Sequence, residues 1–174
     1  MKVLIASDIH GSLYYAQKLM QVFDVENCDT LILLGDILYH GPRNDLPKEY
    51  NPKRVITLLN QYADKIIAIK GNCDAEVDQM VLDFLLYDDV KKIEINNKII
   101  YLTHGHRFNP SNTPSYVKSG DYFIYGHTHV PLRETINGIT YLNPGSISIP
   151  KNNSHHSVII LEGEEFRFVN LENY

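Results

Sequence analysis

Five times along this chain a short apolar run of strand length stops at a cluster of Asp, Asn or His beside glycine. Val3-Leu4-Ile5-Ala6 leads into Asp8-Ile9-His10, and Leu31-Ile32-Leu33-Leu34 into Gly35-Asp36. Ile66-Ile67-Ala68-Ile69 leads into Gly71-Asn72-Cys73-Asp74. Ile99 to Thr103 precedes His104-Gly105-His106, and Phe123-Ile124-Tyr125 precedes Gly126-His127-Thr128-His129. Runs that are apolar throughout suit strands buried on both faces. Open α/β sheets build their sites beyond the carboxyl ends of their strands. The pattern therefore predicts one edge on which the polar clusters converge. Where ligand-type residues stand at i and i+2, as in Asp8 and His10, an extended backbone would point both side chains the same way.

The segments between the runs set the fold class. Ser12 is a candidate N-cap, followed by Ala16, Leu19, Met20 and Phe23 at helix spacing. Asn51-Pro52 reads as a cap with proline at the first helical position, followed by Val55, Leu58, Leu59 and Tyr62. Val77, Met80, Val81 and Phe84 repeat that spacing and predict a third helix. Strands alternating with helices argue a parallel sheet. The second half reads differently. Asn96-Asn97, Asn137-Gly138 and Gly163 each separate two strand-like runs, which is hairpin chemistry. The expectation is a single α/β domain over residues 1–174: a four-layer αββα arrangement, with a mixed parallel and antiparallel two-sheet β-sandwich flanked by helices.

Composition narrows the class further. The 174 residues are 44% hydrophobic, enough for a real core, and carry a formal net charge of −5. That charge disfavours a nonspecific nucleic-acid binder, which wants a basic surface. Two cysteines, Cys28 and Cys73, cannot build a disulfide framework or a cysteine-based zinc module. No apolar run approaches the roughly 20 residues that span a bilayer. The N-terminal run passes straight into Asp8 and His10 and reads as a first strand, not a leader. A soluble cytoplasmic protein is expected.

The clusters supply carboxylates, an amide and imidazoles without paired thiolates, a donor set that suits Mn, Fe, Zn or Ni. Asp8, His10, Asp36, Asn72, His104, His127 and His129 are too many ligands for one ion and fit two. Two divalent ions, Asp8, Asp36 and one hydroxide leave a site charge of about +1, which matches a phosphodiester monoanion.

The order Asp-x-His, Gly-Asp, Gly-Asn-x-Asp, His-Gly-His, Gly-His-x-His resembles the calcineurin-like metallophosphoesterases from Asp8 to His129. The stretch Asn143-Pro144-Gly145-Ser146 fits as well. The loop His40-Gly41-Pro42-Arg43-Asn44 and the small chain are most similar to the YfcE-type small phosphodiesterase group. The resemblance implies one metal held by Asp8, His10, Asp36 and His129. It implies a second held by Asp36, Asn72, His104 and His127, with Asp36 bridging. It implies Mn2+ first, with Zn2+, Fe2+ or Ni2+ as alternatives, and a metal-bridging hydroxide attacking the phosphorus of a small phosphodiester.

One position departs from the family pattern. Many family enzymes carry His after the motif Asn, where this chain has Cys73. A thiol is a poorer phosphate ligand than imidazolium, so a shift toward diesters is expected, with His106 either a partial substitute as general acid or a histidine that orients a neighbour or faces solvent. Cys73 as a buried space-filler is the competing reading. Arg43, Asn44 and His40 are candidate substrate contacts, against a plain surface turn. Asp74 reads as a cap or a residue that orients a ligand, Cys28 as structural, and His155 and His156 as solvent-facing. Tyr39 is a candidate to stack on a substrate base. A homodimer or higher homo-oligomer is expected from the resemblance, and neither a nucleic-acid nor a membrane partner. The alternatives are a noncatalytic interaction scaffold, since a retromer subunit shares this fold, and a phosphomonoesterase. Imidazole ligands must be neutral to bind metal, so acid should abolish activity.

Overall fold

The computed structural model describes residues 1–174. Strands β1 (Lys2–Ala6), β2 (Thr30–Leu33), β3 (Ile66–Ile69) and β4 (Leu86–Tyr87) run parallel in one sheet. Strands β10 (Ser157–Glu162) and β11 (Glu165–Asn170) extend that sheet antiparallel beyond β1, giving the order β11-β10-β1-β2-β3-β4. The second sheet has the order β5-β6-β7-β9-β8. It is built from Val90–Ile95, Lys98–Thr103, Tyr122–Ile124, Ile139–Pro144 and Pro131–Ile136 respectively. Its pairs β5·β6 and β8·β9 are antiparallel, and its central pairs β6·β7 and β7·β9 are parallel.

The continuous apolar runs are explained by two-sided burial. Along β1, Leu4 and Ala6 join the core under the helices, while Val3 and Ile5 face the other sheet. The inter-sheet core adds Ile32, Leu34 and Ile69 from one sheet and Ile100, Leu102, Ile124 and Leu142 from the other. Each such aliphatic side chain contributes about 1.5–3 kcal/mol by leaving water. Helices α1 (Leu13–Val25) and α2 (Pro52–Asn60) pack on the outer face of the first sheet through Leu19, Phe23, Val55 and Leu59. Both start as the sequence predicts. The Ser12 hydroxyl accepts the Tyr15 N–H, and the Asn51 side chain accepts the Arg54 N–H, with Pro52 opening α2.

The two-sheet sandwich is the expected architecture, and two local features differ from it. The outer face of the second sheet carries no helix. The irregular segment from Gly105 to Gly120 covers it instead, and Val117 and Phe108 pack there on Tyr101, Phe123, Tyr125 and Tyr141. The expected third helix is also absent. Residues Glu76–Met80 make a short 3-10 turn that leaves Val77 57% and Met80 83% exposed, while Leu82 and Phe84 enter the core. The Asp78 carboxylate accepts the Ala75 N–H at 2.8 Å, and the Gln79 side-chain amide oxygen (Oε1) accepts the Leu86 N–H at 2.8 Å. These contacts close the segment as a turn into β4, so the helical spacing found no partner surface.

Candidate metal centre

All five polar clusters lie where β1, β2, β3, β6 and β7 end, on one edge of the sandwich. Their side chains do not converge through extended backbone, as the i, i+2 spacing suggested. Asp8, His10, Asp36, His127 and His129 all have φ between +49° and +67°. Each sits in the left-handed region, which Asp and His tolerate better than most residues but which is costly for L-residues. Successive left-handed turns, not strand pleat, bring Asp8 beside His10 and His127 beside His129.

Close backbone approach completes the edge. A Cβ on Gly71 would overlap the Asp36 amide and carboxylate, and one on Gly35 would lie 2.6 Å from the Gly71 nitrogen. The loops after β2 and β3 can therefore touch only through glycine. The buried Asp74 carboxylate ties those loops together. It accepts the N–H groups of Asp36 (2.8 Å), Ile37 (2.8 Å) and Gly71 (2.7 Å). Burial pushes the Asp74 carboxyl up to about 6, and the three donors offset part of that rise. Asp74 thus holds ligand loops in place, with both of its oxygens engaged by backbone N–H groups.

Three imidazoles are oriented by main-chain carbonyls. Nδ1 of His10 donates to Tyr39 (2.8 Å), of His104 to Leu34 (2.7 Å), and of His129 to Ile149 (2.7 Å). That arrangement sets the tautomer and leaves each Nε2 lone pair facing inward. His10 Nε2 lies 3.2 Å from His129 Nε2. Asp8 Oδ1 is 3.5 Å from the first and 3.2 Å from the second. The other Asp8 oxygen accepts the His127 N–H at 3.0 Å, while Oδ1 is buried without a hydrogen-bond donor. The Asp8 carbonyl is held by the hydroxyls of Ser146 (2.8 Å) and Ser148 (2.9 Å).

The second group adjoins the first through Asp36. Its Oδ2 is 3.7 Å from His10 Nε2 and 3.4 Å from His104 Nε2, and its Oδ1 accepts the Cys73 N–H at 2.8 Å. His104 Nε2 also lies 3.0 Å from the Asn72 side-chain oxygen, and the His127 ring is 5.1 Å from the His104 ring. Asp8, His10 and His129 form one set of converging donor atoms, and Asp36, His104 and His127 another. His10, Asp36 and Cys73 form a third that overlaps both. An orphaned buried carboxylate oxygen and two imidazole lone pairs turned toward each other need a cation between them. The donor set fits the divalent metals expected from the sequence.

Electrostatics agree with that fit. Burial opposes ionisation of Asp8, yet the contacts with His10 and His129 hold its carboxyl well below the usual carboxylate range. Burial lowers the His104 pKa, but the Asp36 contact and the Asp8 and Asp36 charges outweigh it and push it up to about 9. Burial and then the His104 charge lower the pKa of His127 and of His106. A proton on His104 balances carboxylates that a metal ion would otherwise neutralise.

An open cleft of about 970 Å³ leads to this cluster, and Asp36, Asn72, His10, His127 and His129 lie on its floor. Arg43, Asn44, Tyr39 and Cys73 line it. Burial and the nearby Asp36 push the Cys73 thiol up to about 12, so it is a neutral group at physiological pH. His40 does not line the cleft. Its ring packs edge-on between Tyr39 and Tyr50, at 4.8 Å and 5.1 Å. His106 is exposed, its ring 5.4 Å from that of His104, outside the cleft lining. His155 is exposed, but His156 is not free in solvent as expected. It stacks on Tyr15 at 4.0 Å, and its Nδ1 bonds the Ile147 carbonyl at 2.8 Å. Cys28 is buried, as expected of a structural residue. Lys151 lines the cleft and was missed; its only signal was its place just past the Asn143–Ser146 stretch.

Comparisons with known proteins agree with this geometry. The phosphodiesterase YfcE of Escherichia coli is 42% identical over 173 residues, covering 99% of this chain and 94% of that protein. The solved structure of YfcE superposes with a TM-score of 0.96 over 99% of this chain and 94% of that one. A phosphodiesterase of Methanocaldococcus jannaschii is 31% identical over 153 residues, covering 83% of each chain. The solved structure of an archaeal phosphodiesterase matches with a TM-score of 0.72 at 29% identity, over 97% of this chain and 99% of that one. The model of the calcineurin-like phosphoesterase superfamily domain matches residues 1–165, and the chain belongs to that superfamily.

Proposed function

We propose that this protein is a two-metal phosphodiesterase acting on a small phosphodiester. The observation that carries the reading is the adjacency of two ligand groups, Asp8/His10/His129 and Asp36/His104/His127, four of whose members, His10, Asp36, His127 and His129, line one cleft. Asp8, His10, Asp36 and His129 would hold one ion, and Asp36, Asn72, His104 and His127 the other. Mn2+ is the first choice, with Zn2+, Fe2+ and Ni2+ behind it. When bound, such a pair supplies Lewis acidity at the phosphoryl group and a nucleophilic oxygen at neutral pH.

The chain's own residues supply orientation. The carbonyls of Tyr39, Leu34 and Ile149 hold three imidazoles in the metal-binding tautomer. Asp74 holds the Asp36 and Gly71 backbone. Arg43 and Asn44 line the cleft, and Arg43 would supply a charged donor to an anionic substrate there. His106, whose ring lies 5.4 Å from that of His104, is a candidate to protonate a leaving group only if the substrate extends beyond the cleft lining. The neutral Cys73 thiol brings neither the cation nor the acid that imidazole would, which favours diesters with good leaving groups over monoesters. We further take residues 1–174 as a single domain that acts in the cytoplasm as a homo-oligomer, on composition and family likeness.

Hydrolysis of bis(p-nitrophenyl) phosphate and p-nitrophenyl phosphate, after chelation and then with Mn2+ restored, tests the reading. Metal-dependent diester turnover that is lost in Asp36→Asn is the expected result. Faster turnover of the monoester would make the protein a phosphomonoesterase. No turnover together with no bound metal would move the reading to a noncatalytic scaffold.

A further inference from the structure

Two cations share the cleft wall without an acidic partner. Arg43 and Lys151 line the cleft, and neither takes part in an ion pair. The carboxylates that line the cleft are Asp36 and Asp74, and both are engaged. Asp36 meets His104 and the Cys73 N–H, and Asp74 accepts three backbone N–H groups.

Lys151 is presented by a built turn. Its N–H donates to the His129 carbonyl at 3.1 Å, and its own carbonyl accepts the Ser154 N–H (3.0 Å) and hydroxyl (2.6 Å). Asn152 and Asn153 both adopt φ of 55°, which closes the turn. Arg43 is presented in a comparable way. The Asn44 side chain donates to the His40 carbonyl at 2.8 Å, and the adjacent Tyr39 carbonyl accepts from His10. Lys151 therefore rides on a turn bonded to the main-chain carbonyl of His129, and Arg43 follows a loop whose Tyr39 carbonyl accepts from the His10 imidazole. The cleft volume of about 970 Å³ stands at the upper end of drug-sized sites, roughly 300–1,000 Å³, far beyond the needs of one phosphate. A metal pair already balances a diester monoanion, so two further positive charges on the cleft wall are surplus for a singly charged substrate.

We propose that Lys151, together with Arg43, forms an anion subsite beside the metal centre, so that the substrate is a phosphodiester bearing a second anionic group. This inference rests on the phosphodiesterase reading for the word substrate, but the subsite is testable by binding alone. Calorimetric titration of the Mn2+-loaded protein with adenosine 5′-monophosphate and with adenosine 3′,5′-bisphosphate compares ligands that differ by one phosphate. The bisphosphate should bind at least about tenfold tighter, equal to about 1.4 kcal/mol. Lys151→Ala should cut that preference to within about twofold, Lys151→Arg should restore most of it, and Arg43→Ala should reduce it. Equal affinity for the two ligands in the unmodified protein, or a preference that survives both alanine variants, overturns the proposal. The two readings fail separately. Diester turnover without the preference overturns the subsite alone. The preference in a protein that hydrolyses no diester keeps the anion subsite and overturns the hydrolase.

Discussion

The Nε2 atoms of His10 and His129 face each other at 3.2 Å, while both Nδ1 atoms are committed to backbone carbonyls at 2.8 Å and 2.7 Å. Two neutral rings so fixed oppose lone pair to lone pair, and Asp8 Oδ1 adds a third acceptor 3.2 Å from His129. Only a cation or a proton relieves that arrangement. Local strain at five left-handed ligand residues, at about 1–3 kcal/mol for each such residue, is retained because the surrounding carbonyl and serine contacts over-determine it.

Metal uptake should tighten as pH rises. The His104 pKa is raised from 6.5 to about 9 in the metal-free fold. Its proton therefore stabilises that fold fully below about 6.5, and the contribution is lost as pH rises through about 9. Metal at the Asp36/His104/His127 group must displace the proton, so affinity should rise about tenfold per pH unit across this window. Competition against a chromophoric chelator between pH 6.5 and 9 reads it out. A flat profile would show that His104 carries no proton to displace.

Asp74→Asn should loosen the centre without removing a ligand. An amide can accept through one oxygen only, and its NH2 would confront one of the N–H groups of Asp36, Ile37 or Gly71. A stability loss of about 1–3 kcal/mol is expected from the unsatisfied donors. Metal affinity should fall by about 10–100-fold as Asp36 loses its support. Denaturant unfolding and metal titration measure the two effects separately.

Tyr15 and His156 link α1 to the loop that steadies Asp8. The Tyr15 hydroxyl is 2.9 Å from His156 Nε2, and His156 Nδ1 bonds Ile147, between the two serines that hold the Asp8 carbonyl. Tyr15→Phe should cost about 0.5–1.5 kcal/mol by removing one hydrogen bond. His156→Ala should cost more, because stacking and the Ile147 contact go with it. Urea midpoints for the two variants would check the order, and equal losses would contradict it.

Glu26 joins three elements at the far end of the molecule. It meets Lys2 at 2.8 Å, Arg167 at 3.0 Å and the Tyr174 hydroxyl, and Lys2, then Tyr174 and Arg167, hold its carboxyl down at about 2. A lowered carboxylate pKa gives stability that is present above about 4.5 and lost as pH falls through about 2. Glu26→Gln should cost about 1 kcal/mol at neutral pH, the value for a partly exposed network. The gap between the two proteins should narrow between pH 4.5 and 3, followed by denaturant unfolding.

Much of the molecule was legible in the chain itself. Uninterrupted runs such as Val3–Ala6 and Leu31–Leu34 mark strands buried on both faces, since each alternate residue meets either helix or sheet. Asn96-Asn97 and Asn137-Gly138 mark hairpins because residues with φ of +51° to +80° are what those turns require. The ligand residues were legible because donor chemistry is written in side-chain type. The tertiary structure decided everything that depends on a partner distant in sequence. His10 finds the Tyr39 carbonyl 29 residues away, and every residue has a carbonyl, so no sequence signal marks that one. His156 is held by Tyr15 across 141 residues, and Lys151 gains its meaning only because its turn closes on His129. Helical spacing from Val77 to Phe84 failed for the same reason: an amphipathic pattern forms a helix only where a surface waits to cover its face, and here a turn into β4 took precedence.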